Sequence, residues 1–110
     1  MKLQVVREGS LVRLSVCDGD AIDSANAGEI RAEALRLLGD ASDIVVDLSG
    51  VEFIDSAGVG VLVGLFKHSR LHGGRARFCG LTAGVRSVLE LIQLDRIFEI
   101  YDDLETATRS

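Results

Sequence analysis

The pair Asp55-Ser56 offers the most chemistry in this sequence, because a carboxylate and a hydroxyl stand together just before an apolar helical stretch. Either side chain could cap that helix by accepting hydrogen bonds from the free amides of its first turn. Val59 occupies the position where a capping box would need Glu or Gln, so a reciprocal cap is absent. Because the small Ala57 and two glycines follow, we expect the Ser56 hydroxyl to be open to another protein.

Three catalytic or nucleotide-binding patterns fail at this segment. The glycine spacing is G-x-G-x-x-x-G, one residue longer than the dinucleotide fingerprint, and no phosphate loop of the form G-x-x-x-x-G-K-[ST] occurs. A nucleophile elbow would need glycine where Ile54 stands. His68 and His72 lie about 18 and 24 Å along the same helix from Ser56, too far to activate it. The segment therefore predicts recognition by another protein, without catalysis and without a cofactor.

Hydrophobic periodicity predicts the elements that position Asp55-Ser56. The expected order is β-β-α-β-α-β-α-β-α, an α/β fold in which an N-terminal hairpin joins a mixed sheet and about four helices cover it. The predicted elements are strands 3–7 and 11–17, a helix from Asp23 or Ser24 to Gly39, strand 43–49, helix 57–71, strand 75–81, helix 83–93, strand 97–101 and a closing helix capped by Asp102 or Asp103. No linker interrupts them, so we expect a single domain over residues 1–110.

The helix 57–71 is apolar on more than one side. One face, predicted to lie on the core, carries Val59, Leu62, Val63 and Phe66. A second stripe beside it is either further core or a surface for a dimer or another partner; its members are Val61, Leu65, His68 and His72.

Composition limits the classes of partner. The 110 residues are 47% hydrophobic and 26% charged, enough for one buried core, and the net charge of -5 is opposite to that of nucleic-acid-binding domains. The longest apolar run, 57–66, is about half of a membrane span. The apolar run within the first ten residues is interrupted at Arg7 and Glu8 and is too short for the apolar region of a secretory leader. We expect a cytoplasmic protein that binds no nucleic acid and does not insert into a membrane.

Cys17 and Cys79 do not have the spacing of metal ligands and are expected to be buried thiols.

The sequence resembles the STAS domain of bacterial anti-sigma factor antagonists over almost its whole length. The segments that carry the resemblance are Asp47–Leu62, Gly73-Gly74, Cys79, Ala83-Gly84-Val85 and Leu94-Asp95-Arg96-Ile97-Phe98. The resemblance implies that Ser56 is the phosphoacceptor of an anti-sigma factor, itself a serine kinase of the histidine-kinase ATPase fold. It also implies that a PP2C-type phosphatase removes the phosphoryl group.

The resemblance further implies a loop beside the phosphoacceptor turn, at Gly19, Ile22 and Asp23. This chain has one extra residue in that loop, and Ala57 replaces the second hydroxyl that many members carry. Asp18, Asp20, Asp23 and Asp55 would then surround Ser56, either as an acidic collar for a basic partner or as an ordinary solvated loop. The expected partner-binding residues are Asp20, Asp23, Asp55, Ser56, Ala57, Gly58 and Val59.

Two functions follow from the resemblance. In the first, the unphosphorylated protein binds an anti-sigma factor, frees a sigma factor, and is released when Ser56 is phosphorylated. In the second, the chain is a constitutive STAS subunit of a cytoplasmic complex, such as lipid-transport machinery or a stress-sensing scaffold, and Ser56 only caps a helix. A homodimer is compatible with both.

Gly58 carries a further expectation. We expect it to face a partner, so that replacement by alanine leaves thermal stability unchanged or slightly raised but weakens anti-sigma factor binding and slows phosphorylation of Ser56. If it packs against the sheet, the same change lowers the melting temperature.

Overall fold

The computed structural model describes residues 2–17 and 21–110, which form a five-stranded sheet, a two-stranded sheet and four α-helices. The strands are β1 Lys2–Glu8, β2 Leu11–Cys17, β3 Ala21–Ile22, β4 Asp43–Asp47, β5 Phe53–Ile54, β6 Ala76–Cys79 and β7 Glu99–Tyr101. The helices are α1 Ala27–Leu38, α2 Ser56–Leu71, α3 Ala83–Leu91 and α4 Leu104–Arg109, with a 3-10 helix at Leu94–Arg96.

The large sheet has the order β1-β2-β4-β6-β7. β1 and β2 are antiparallel and joined at Gly9, whose φ of +61° suits a tight hairpin turn. β2, β4, β6 and β7 are parallel, so their carboxyl ends meet at one edge of the sheet. The predicted mixed sheet with its N-terminal hairpin is confirmed.

The main core lies between one face of the large sheet and the helices α1, α2 and α3. Its fully buried side chains include Leu14, Leu38, Ile44, Leu62 and Phe78. The other face carries a smaller cluster, in which α4 contributes the buried Ala107. No helix among the described residues has the length and apolar character needed to cross a membrane.

The core face of α2 differs from the expected one. Its buried residues are Gly58, Val61, Leu62, Leu65 and Ser69, whereas three of the predicted core residues, Val59, Val63 and Phe66, are only partly buried. The helix is apolar on several sides, so periodicity alone does not define its rotation about its axis. Contacts with the rest of the fold define it, and they place Val61 and Leu65 of the second stripe in the core.

Helix ends also differ from the expected positions. α1 begins at Ala27 after Asn26, because residues 24–26 form a turn, so neither Asp23 nor Ser24 is its N-cap. α3 ends at Leu91 because Gln93, with φ of +63°, cannot continue a right-handed helix. A 3-10 helix at Leu94–Arg96 follows, and strand β7 starts at Glu99, two residues later than predicted.

The thiol of Cys79 is buried and free, as expected. Burial raises its pKa to about 12, so it stays protonated and unreactive at neutral pH. The expectation for the side chain of Cys17 lies outside what the structure describes.

Candidate functional site

Asp55 is the N-cap of α2, and it holds two segments with one carboxylate. Its Oδ1 accepts a hydrogen bond from the amide of Gly58 at 3.0 Å, and its Oδ2 accepts one from the amide of Ser24 at 3.0 Å. The Gly58 bond is the main reason that the pKa of Asp55 lies below its ordinary value, and the Ser24 bond adds to the effect. The cap is therefore charged at neutral pH and joins the start of α2 to the loop before α1.

The loop before α1 is held beside the Asp55-Ser56 turn by a small parallel sheet. Ala21 pairs with Phe53 and Ile22 with Ile54. The side chain of Asn26 strengthens the arrangement, because its amide donates to the carbonyl of Ala21 at 2.9 Å and its oxygen accepts from the amide of Asp23 at 2.9 Å. The expected neighbourhood of the Ile22-Asp23 loop and the Ser56 turn is thus present in the structure.

Gly58 allows this close approach and does not face outward. It is buried in the first turn of α2, and an added Cβ would overlap the carbonyl oxygen of Ile22 and lie 3.0 Å from the Cβ of Ile54. The expectation that Gly58→Ala preserves stability is therefore wrong. The alternative, in which the glycine packs against the backbone of the sheet, matches the structure.

The segment before the Asp55-Ser56 turn, residues 51–54, also contacts the start of α3. The hydroxyl of Thr82 donates to the carbonyl of Val51 at 2.7 Å and also accepts from the amide of Val85, so one side chain caps α3 and holds the loop after β4. Gly84 has no room for a side chain, because an added Cβ would overlap the carbonyl oxygen of Glu52. Residues 51–54 are consequently held from both sides.

Ser56 is the first residue of α2 and is exposed, at the edge of the sheet where the parallel strands end. Since Asp55 already serves as the cap, α2 does not need the serine hydroxyl for that purpose. Asp55 directly precedes Ser56, Glu52 is exposed four residues before it in the chain, and Asp23 is partly exposed in the loop that Asp55 binds through Ser24. A hydroxyl in this position can accept a phosphoryl group or contact a partner.

The structure brings most of the expected site residues together. Ala57 and Val59 are partly buried in the first turn, and Asp23 lies in the loop that Asp55 binds through Ser24. Asp18 and Asp20, both expected in the acidic collar, lie outside the described residues.

Two residues at the site escaped the sequence analysis. Phe53, with 52% of its surface exposed, presents an aromatic ring two residues before Asp55. It points outward because it lies in the two-residue strand β5, in which Ile54 is the buried residue. Asn26 stands directly before α1, but its side chain makes no cap bond to the helix and bonds instead to the backbone of Ala21 and Asp23, which no local sequence pattern indicates. Among the described residues, no group of three His, Cys, Asp or Glu side chains is placed to hold a metal ion.

The family model for the STAS domain matches residues 10–107, so this chain belongs to the STAS domain family. It is similar to the anti-sigma-B factor antagonist of Listeria monocytogenes, with 37% identity over 92 residues, which covers 76% of this chain and 81% of that protein.

A second relative is the anti-sigma F factor antagonist of Paenibacillus polymyxa, 35% identical over 60 residues or 54% of this chain. The match spans about half of that relative, 51% of its length. The crystal structure of a Thermotoga maritima protein superimposes with a TM-score of 0.87 and 28% identity, covering 97% of this chain and 92% of the other. Relatives of this STAS domain are thus named as anti-sigma factor antagonists.

Proposed function

We propose that this protein is an anti-sigma factor antagonist whose binding to the anti-sigma factor is controlled by phosphorylation of Ser56. The observation that carries the proposal is the division of roles between two adjacent residues. Asp55 caps α2 and holds the neighbouring loop, while Ser56 is exposed at the same helix end. A serine that the fold does not need as a cap is free to be modified without loss of the helix.

The kinase in this proposal is the anti-sigma factor itself. It transfers the γ-phosphoryl group of ATP to Oγ of Ser56, the hydroxyl loses its proton, and ADP leaves. A PP2C-type phosphatase hydrolyses the ester and restores the hydroxyl. The protein is then the ligand and the substrate of its partner, and it acts in the cytoplasm, where sigma factors meet RNA polymerase.

Phosphorylation affects the free protein and the complex differently. The phosphoryl group adds about -1.5 to -2 charge at the start of α2, where the helix dipole and free amides favour an anion. In the complex, an interface built around a hydroxyl must also accommodate the bulk and charge of the phosphate, next to the carboxylate-bearing Asp55. A mismatch of about 3 kcal/mol weakens affinity on the order of a hundredfold, which is enough to release the anti-sigma factor.

The experiment is a calorimetric titration of a purified anti-sigma factor kinase from the source organism with wild type, Ser56→Ala and Ser56→Asp. We expect wild type and Ser56→Ala to bind, and Ser56→Asp to bind on the order of a hundredfold more weakly. Incubation with the kinase and ATP should add one phosphoryl group to wild type and none to Ser56→Ala, as measured by intact mass.

Ser10→Asp is the matched control. It adds the same charge at an exposed serine in the turn between β1 and β2, at the end of the sheet opposite Ser56. It should bind like wild type. Equal affinities for wild type, Ser56→Ala and Ser56→Asp would reject the switch and favour a constitutive docking subunit instead.

A further inference from the structure

Gly60 is an interior residue of α2 for which the described part of the fold gives no structural reason. It is exposed, its φ is not positive, and an added Cβ would meet no atom within 4 Å. Gly58 and Gly84 differ from it, since a side chain at either position would overlap a backbone carbonyl. Gly28 also has free space, but it is the second residue of α1, where first-turn amides lack helical partners in any case.

The position of Gly60 connects it to the proposed interface. It follows Ser56 by four residues, so the two lie one turn apart on the same face of α2. Glycine destabilises a helix interior, because it loses more backbone freedom on folding than alanine does. No contact within the described fold compensates for this cost, which suggests that its compensation lies in a complex.

We propose that the anti-sigma factor packs directly against the bare backbone of α2 at Gly60, so that any side chain there collides with it. The inference rests on the proposed function and adds a contact position to the surface around Ser56. Glycine permits another chain to approach the helix backbone more closely than any other residue allows. Val63, partly buried one turn further along, gives the contact an apolar continuation.

A size series at Gly60 tests the inference. Gly60→Ala and Gly60→Gln place a small and a long side chain on the helix, and both residues favour helices over glycine. We expect the Tm of Gly60→Ala to rise by about 4 °C. The affinity for the purified anti-sigma factor kinase should fall about tenfold with alanine and further with glutamine. Ser87→Ala and Ser87→Gln, at an exposed position of α3, should bind like wild type.

Each outcome is decisive. A Gly60→Ala or Gly60→Gln protein that is stable and binds like wild type overturns the contact, as does a Gly60→Ala protein with a lowered Tm, because that result assigns the glycine to the fold. If affinity depends on Ser56 but not on Gly60, only this inference fails. If wild type does not bind the anti-sigma factor at all, the proposed function fails with it.

Discussion

Asp55 is a charged cap with two acceptor oxygens, and both are engaged by backbone amides. These bonds stabilise the carboxylate over the carboxylic acid, which is why the pKa of Asp55 in the folded protein lies below that of the unfolded chain. A lowered folded pKa means that the contribution to stability is complete above the unfolded pKa of about 3.9 and is lost as the pH falls through the folded value.

Asp55→Asn should separate the charge from the cap. Asparagine keeps one acceptor oxygen, but its NH2 group cannot accept the second amide, so we expect a lower Tm than wild type at pH 7. The difference in Tm should shrink as the pH is lowered from about 5 to below 3, because only wild type has a carboxylate at position 55 to be protonated. Thermal melts of both proteins across this range measure it. A difference that stays constant with pH would contradict the role of the charge.

Gly58→Ala should destabilise the protein. The added Cβ cannot fit against the carbonyl of Ile22, so the loop at β3 or the start of α2 must move, at a cost of about 2 kcal/mol. Urea unfolding at neutral pH measures the loss as a lower midpoint. Gly60→Ala, two residues along the same helix, is the matched control and should be more stable than wild type. An unchanged midpoint for Gly58→Ala would mean that Ile22 lies farther away than the structure places it.

At the scale of the elements, α4 is short and depends on the sheet for its position. The guanidinium of Arg77 on β6 is buried, donates to the carbonyl of Ala107 at 2.7 Å, and forms an ion pair with Asp43 at 2.5 Å. The buried Ala107 adds an apolar contact on the same face of the sheet. One arginine therefore links α4, β4 and β6.

Arg77→Leu should loosen α4. The change removes the guanidinium donor from Asp43 and from the carbonyl of Ala107, which keeps only the longer bond from the amide of Ser110, and we expect a loss of about 2 kcal/mol. Hydrogen exchange of the α4 amides should accelerate more than that of β4. Arg109→Ala is the control, because the ion pair of Arg109 with Glu105 is exposed and such pairs contribute little. Unchanged exchange in α4 would show that Ala107 alone holds the helix.

At the scale of the whole molecule, charge is unevenly distributed. The chain carries a net charge of -5, and Glu52 and Asp55 lie in the segment that leads into Ser56, whereas Lys67 and Arg70 lie toward the other end of α2. An acidic surface attracts a basic partner during the approach of the two proteins, and dissolved salt screens this attraction. This polarity predicts a salt-dependent association.

We expect the association rate with the anti-sigma factor to fall about tenfold between 0.05 and 0.5 M salt, with a smaller change in the dissociation rate. Stopped-flow mixing measures both rates. Glu52→Gln, which removes one exposed carboxylate near Ser56, should reduce the rate at low salt and leave it unchanged at high salt. A rate independent of salt would show that the acidic surface does not guide binding.

Much of the architecture could be predicted from periodicity, because burial of an apolar face imposes a repeat of two on half-buried strands and 3.6 on helices. The hairpin, the parallel strands, the four helices and the Asp55-Ser56 turn all follow from such patterns. The strands β3 and β5 could not be predicted in this way, since two residues are too few to show a repeat. The rotation of α2 about its own axis could not be predicted either, because a helix that is apolar on several sides fits a core in more than one orientation.

Only the tertiary structure separated the roles of Gly58 and Gly60. From the sequence we expected Gly58 to face a partner, although residue type and spacing do not distinguish the two glycines. The packing of Ile22 against the first turn of α2 leaves no space at Gly58, whereas the space at Gly60 is open. That distinction depends on a contact between residues more than thirty positions apart in the chain, which no local pattern encodes. Residue types and spacing thus determined where the site is, and long-range packing decided which of its residues face outward.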